Sequence, residues 1–285
     1  MVQVHLSPPM KNVKNFRCAD HLGGLDEKYL YERDGKTYMF KTARLKPAIS
    51  GSNEPAPYKA FASVAASKVH KIIEPNAAID VFAETLPVDG KDVFGCSVEI
   101  IPTKNFPNYI RDGKINPEYA KLIPQLLREF VVDYITSNKD GDLILGKDGI
   151  VRGVDKTQCF RYASGPKSRK LERSYELALP TEDYHSVDFS VIDTYIKRIE
   201  AVPTEQYMEI WKEYIESVKG FKPFMAEHIK NTKLDLRANL YDFIANVLSA
   251  NPGFSRGAKK TKIDVQPQQK PVIKTRRRDT LGNHS

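Results

Sequence analysis

The residues able to do chemistry fall in three short stretches. Asn138, Asp140 and Asp142 lie within five residues of one another, in a polar loop that ends an apolar helical run. Asp155 comes next, in Gly153-Val154-Asp155-Lys156. Between them, Lys147-Asp148-Gly149 separates two short apolar runs, 143–145 and 150–152, and a turn signal so placed predicts a hairpin. That hairpin brings two groups of carboxylates together. Carboxylate oxygens suit a hard cation such as Mg²⁺, and a second carboxylate can orient a hydroxyl nucleophile. Asp, Asn and Gly are also the common residues of turns, so an ordinary turn is the alternative reading.

The third stretch is His21 to Lys41. Gly23-Gly24 precedes a strand-like run at 29–32, and Asp34-Gly35 turns the chain into a second run at 37–41. Paired glycines let backbone N–H groups approach an anion closely. Lys41 ends the second strand after Tyr38-Met39-Phe40. It is either a solvated strand end or a point charge held on a rigid element and aimed at phosphate.

These residues need elements to position them. Residues 1 to about 20 carry Pro8-Pro9 and scattered lysines and read as irregular. After a loop at 42–57, residues 58–73 space Phe61, Val64, Ala65, Val69 and Ile72 at a helical period, and Pro75 ends that helix. Runs at 81–86 and 93–101, joined by Asp89-Gly90, read as two more strands, and 102–109 as a Pro/Asn-rich connector. Residues 117–136 form an apolar-faced helix that delivers the chain into the acidic loop. Residues 164–173 are polar and basic and read as a surface segment. Helices are expected over 187–199, 204–218 and 222–248, with Trp211, the one tryptophan, in the core.

Composition narrows the class. The chain has 285 residues, 41% of them hydrophobic, enough for a sizeable core. Three scattered cysteines without a CxxC pair support neither a zinc site nor a disulfide framework, so a reducing, cytoplasmic setting is expected. The first residues hold no apolar run, so no signal peptide is expected, and no stretch approaches the ~18 apolar residues of a membrane span. From Asn251 onward nine basic residues face two acids, so this segment holds +7 of the net +8 charge. It is expected to be a disordered basic tail, and contact with nucleic acid is expected only through it.

The order of parts resembles the protein-kinase-like fold: an α+β, bilobal arrangement with a small β-rich N-lobe carrying one helix and a mainly helical C-lobe. Within it the sequence resembles the atypical branch that includes the HipA toxin kinases and the phosphatidylinositol 3-/4-kinases, and looks closest to bacterial and phage-associated members. The residues that carry the resemblance are Gly23-Gly24 with Lys28-Tyr29, Phe40-Lys41, Ala65-Ala66-Ser67, Ser137-Asn138-Lys139-Asp140 and Gly153 to Arg161. Ile199 to Pro203 and Leu236 to Tyr241 also fit, so it covers about residues 20 to 245.

The resemblance implies an N-lobe over 1–104, a C-lobe over 105–250 and a tail over 251–285. It implies ATP and Mg²⁺ as cofactors and a protein Ser/Thr hydroxyl as acceptor. Lys41 would bind the nucleotide phosphates beneath Gly23 and Gly24. Asp140 would orient or deprotonate the acceptor, and Asp155 would hold Mg²⁺. Two departures stand out. The His and Asn expected after the loop aspartate are absent, leaving Asp142 as the stand-in metal ligand. The helix glutamate expected to pair with Lys41 is also absent, with Ser63 and Val64 in its place and Glu54 upstream as a weak substitute. Transfer of another part of ATP, such as AMP, is a variant. A pseudokinase that binds nucleotide or a partner without catalysis is the alternative.

Overall fold

The computed structural model describes residues 14–18, 27–43, 56–112, 114–138, 141–165 and 187–250. Asp34-Gly35 and Asp89-Gly90 turn the chain with both residues at positive φ (51° and 76°, 50° and 74°), the conformation that suits a two-residue hairpin turn. The first turn joins β2 (Lys28–Arg33) to β3 (Lys36–Thr42), and the second joins β4 (Val81–Val88) to β5 (Lys91–Glu99). With β1 (Lys14–Cys18) they form an antiparallel sheet in the order β1-β2-β3-β5-β4. β1 overturns the expectation of an irregular start: Lys-Asn-Phe-Arg-Cys has no alternation of its own and is a strand by pairing with β2.

Register sorts the sheet into two faces. Tyr31, Tyr38, Phe40, Leu86, Val88 and Val93 bury one another on the first. Lys41, one step past Phe40, therefore points to the second face, in register with Cys96 on β5 and Lys28 on β2. Helix α1 (Pro57–Ile73) packs over β4 and β5. Its Phe61, Ala62, Ala65, Ala66, Val69 and Ile73 also join the core of the helical part, so α1 cements sheet to helices.

The connector is not strand-free as expected. It contains β6 (Thr103–Lys104), and just beyond it β7 (Ile110–Arg111) pairs with β8 (Lys114–Ile115). The helix expected over 117–136 is two pieces, α2 (Pro117–Ala120) and α3 (Ile123–Thr136); the prolines sit in the first turns, where a missing N–H costs nothing. Ser137 ends α3 with a left-handed cap (φ 46°). The predicted hairpin follows as β9 (Asp142–Gly146) and β10 (Val151–Val154), with β6 on its outer side.

Helices α4 (Val191–Glu200), α5 (Thr204–Ile210), α6 (Lys212–Val218), α7 (Met225–Leu234) and α8 (Leu236–Ala250) complete the chain. The expected 204–218 helix breaks at Trp211 (φ −95°, ψ 0°), which is fully buried as anticipated. This is the expected α+β architecture, a sheet lobe with one helix against a helical lobe. Most of the basic 164–173 segment, and the tail beyond residue 250, lie outside the described residues.

Candidate active site

Lys41 and Asp155 are 114 residues apart in sequence, yet Lys41 Nζ donates to Asp155 Oδ1 at 3.1 Å. Strand β3 is central in its sheet, and the Lys41 side chain is 9% exposed, so its stem is fixed by packing. Asp155 leaves β10 in a left-handed conformation (φ 56°), uncommon outside glycine and best tolerated by Asn and Asp. That backbone turn aims its carboxylate at the sheet. Thr157 Oγ1 donates to the same Oδ1 at 2.9 Å. Burial alone would raise the Asp155 pKa. The Lys41 charge, the Thr157 and Lys41 hydrogen bonds and the Lys28 charge outweigh it, so the carboxyl sits below its ordinary range and is ionised at neutral pH.

Asp155 stands on a buried polar foundation. Lys156, the next residue, turns inward and pairs with Asp133 of α3, which also accepts from Asn138 Nδ2 at 3.1 Å. Burial opposes the Lys156 charge, but Asp133 and Glu129 together raise its pKa. Glu129, one turn earlier on α3, accepts from Gly153 N at 2.9 Å, from Arg128 Nε at 2.9 Å, and lies 3.1 Å from His70 Nε2 on α1. Its burial is outweighed by His70, Arg128 and Lys156, which hold its pKa down at about 2. A Cβ at Gly153 would come within 2.5 Å of Lys156 Nζ and 2.7 Å of Glu129 Oε2, so a side chain there would displace the ends of both cluster residues.

Beyond Asp155 the chain is tied down again. Phe160 (φ 54°) donates its N–H to Thr136 O at 3.2 Å, and its ring meets Trp211 edge-on at 5.0 Å. Tyr214 donates to Cys159 O at 3.0 Å, and Lys222 Nζ donates to Phe160 O and Ala163 O at 3.1 and 3.2 Å. Burial pushes the Cys159 thiol up to about 12, so it is inert as a nucleophile.

The candidate residues therefore divide. Lys41 and Asp155 are brought together. Asp142 is exposed at the start of β9, in register with Val154, the residue before Asp155. Gly23, Gly24 and Asp140 lie outside the described residues. Asn138 is 1% exposed and held by Asp133, so it braces the loop. Sequence reasoning missed Thr157, His70, Glu129, Asp133 and Lys156 as supports. The available signal was a pair of carboxylates four residues apart on the apolar face of a helix, which must be paired when buried.

Among the described residues no group of three His, Cys, Asp or Glu converges as a metal cage. A Mg²⁺ ion bound with nucleotide needs less: one or two carboxylates, with phosphate oxygens and water completing its shell. An ionised, half-exposed Asp155 and an exposed Asp142 fit that donor set by charge and chemistry. Behind the Lys41–Asp155 bridge lies a small pocket lined by Ser63, Ser67 and His70 of α1 and by Val81 and Val98 of the sheet. None of these α1 residues carries a carboxylate; Ser67 Oγ donates to Ile79 O at 2.7 Å, and the His70 imidazole faces Glu129.

No protein-family model matches the sequence, and no curated protein matches it. The crystal structure of the Golgi casein kinase is similar over 85% of this chain and 75% of that one, with a TM-score of 0.44 and 10% identity. That of the Helicobacter pylori proinflammatory kinase CtkA is similar over 80% of this chain and 88% of that one, with a TM-score of 0.38 and 12% identity. At such TM-scores neither likeness bears on what the chain does; Lys41, Asp155 and their surroundings do.

Proposed function

We propose that this chain is an ATP- and Mg²⁺-dependent phosphotransferase on a protein-kinase-like fold of the HipA and phosphatidylinositol 3-/4-kinase-like branch, acting on a protein Ser/Thr hydroxyl. The observation that carries the reading is the Lys41–Asp155 pair, a cation on the sheet lobe meeting an ionised carboxylate on the hairpin. Such a pair sits where phosphate charge and a metal must be neutralised together. In this account the nucleotide site spans the join near residues 104 and 105. Lys41 holds phosphate oxygens, Asp155 and Asp142 hold Mg²⁺, and Gly23 and Gly24 cover the phosphates. The metal supplies neutralisation of charge between the phosphoryl groups. Asp140 orients the acceptor hydroxyl and takes up its proton. Positioning and charge neutralisation supply most of the rate in such a site.

The test is transfer from γ-labelled ATP to a protein acceptor, with α-labelled ATP beside it. Transfer of the γ-label, abolished in Asp155→Asn and Lys41→Met, supports the reading. Label transferred only from the α-position points to AMP transfer, and none from either position counts against an enzyme.

One observation favours a second reading, a pseudokinase that binds nucleotide or a protein partner. The α1 residues around the pocket that Lys41 lines are Ser63, Ala66, Ser67 and His70, so no helix glutamate stands there to orient Lys41. Binding of Mg-ATP without transfer would support that reading.

A further inference from the structure

We propose that Lys28 is a second phosphate-binding cation, forming with Lys41 a two-lysine clamp for the polyphosphate of the nucleotide. The inference rests on the nucleotide reading above and deepens it. Lys28 opens β2 and pairs in register with Lys41 on β3. The next pair along, Glu27 and Thr42, is joined by a hydrogen bond from Thr42 N to Glu27 O at 3.0 Å. Hydrogen-bonded and non-hydrogen-bonded pairs alternate along an antiparallel ladder, so Lys28 and Lys41 form a non-hydrogen-bonded pair, the type whose side chains stand closest. Both side chains leave the same face of the sheet, the one turned towards Asp155.

Two like charges directly opposite each other destabilise a sheet unless an anion lies between them. Here Asp155 is such an anion: it is bonded to Lys41 and lowered in pKa by the charges of both lysines. One carboxylate faces two ammonium groups. With Mg²⁺ on Asp155, its charge would be shared with the metal, and an anion brought by the metal would lie against the face that carries both lysines. A nucleotide polyphosphate is an anion of matching charge and length, and lysine serves phosphate as a movable point charge. Phosphate binding offsets the repulsion built into the strand pair.

Calorimetric titration of the full chain with Mg-ATP, Mg-ADP and adenosine, on wild type, Lys28→Gln and Lys28→Arg, tests this. Lys28→Gln should weaken Mg-ATP about tenfold, as expected for one charge-assisted contact. Mg-ADP should weaken likewise, adenosine should be unaffected, and Lys28→Arg should recover most of the loss. The shift in thermal midpoint produced by Mg-ATP should shrink in Lys28→Gln. Equal Mg-ATP affinity in wild type and Lys28→Gln would overturn the clamp and leave the nucleotide site standing. A fall in affinity for ATP and adenosine alike, with a lower thermal midpoint, would overturn it in favour of a structural role. Absence of Mg-ATP binding in the wild type would overturn both the clamp and the nucleotide reading.

Discussion

His70 Nε2 on α1 lies 3.1 Å from Glu129 Oε1 on α3, and both side chains are almost wholly buried. The contact fastens the single helix of the sheet lobe to the helical lobe, directly beneath the strand that carries Asp155. Glu129 also holds the N–H of Gly153, so one carboxylate sets the helix and the hairpin against each other.

Removing that carboxylate should therefore cost more than a surface ion pair. Glu129→Ala leaves Arg128 and His70 facing a cavity, and breaking one partner of a buried pair costs roughly 3–5 kcal/mol. Urea denaturation should show the loss. A change below about 1 kcal/mol would show that the cluster is not a mainstay of the fold.

The same group sets an acid limit. The folded-state pKa of Glu129 is depressed to about 2 from 4.5, so its contribution to stability is full above about pH 4.5 and is lost as pH falls towards 2. The depression corresponds to about 3 kcal/mol. Stability measured from pH 7 to pH 3 should fall more steeply in wild type than in Glu129→Gln. Parallel curves would contradict the assignment.

Thr157 supplies one of the two hydrogen bonds that hold Asp155 Oδ1. In Thr157→Val the Asp155 pKa rises towards its ordinary range, since a donor to the ionised form is gone. The carboxylate must be ionised to hold a metal, so Mg²⁺-dependent nucleotide binding should fail at a higher pH than in wild type. Binding at pH 8 should change little, and an unmoved acid limb would remove Thr157 from the site.

Ser63 lines the same pocket as Lys41, and Val64 does not. Ser63→Glu should give Lys41 a helix partner, release Asp155 for metal and raise kcat/KM about tenfold, equivalent to about 1.4 kcal/mol. Both Ser63→Glu and Val64→Glu bury a carboxylate, at 4%- and 8%-exposed positions, and each should cost about 1–3 kcal/mol of stability, but only Ser63→Glu should raise the rate. The reverse order of effects would show that the helix is wrongly aligned with Lys41.

Elements with local signals were legible in the sequence, and elements made by pairing were not. The Asp-Gly turns at 34–35 and 89–90 declare positive φ, so strands β2 to β5 and their order along the chain could be read. β1 depends on β2, and the break at Trp211 has no Pro or Gly to announce it, so both were missed. Within the site, Lys41 and Asp155 were legible because each ends a strand-like run in a recognisable motif. Lys156 and His70 were not, because their partners lie on other elements; the spacing of Glu129 and Asp133 on α3 was the one trace of the buried network in the sequence. Lys28 belonged to a noted motif, but only the strand register gave it a place beside Lys41.

The central claim is that Lys41 and Asp155 mark a site for Mg-ATP, and calorimetric titration of ATP with and without Mg²⁺ tests it most directly. Binding that requires Mg²⁺, is abolished in Asp155→Ala and is weakened at least about tenfold in Lys41→Ala is the predicted result. Absence of binding to the wild type, or binding that survives in both variants, would contradict it.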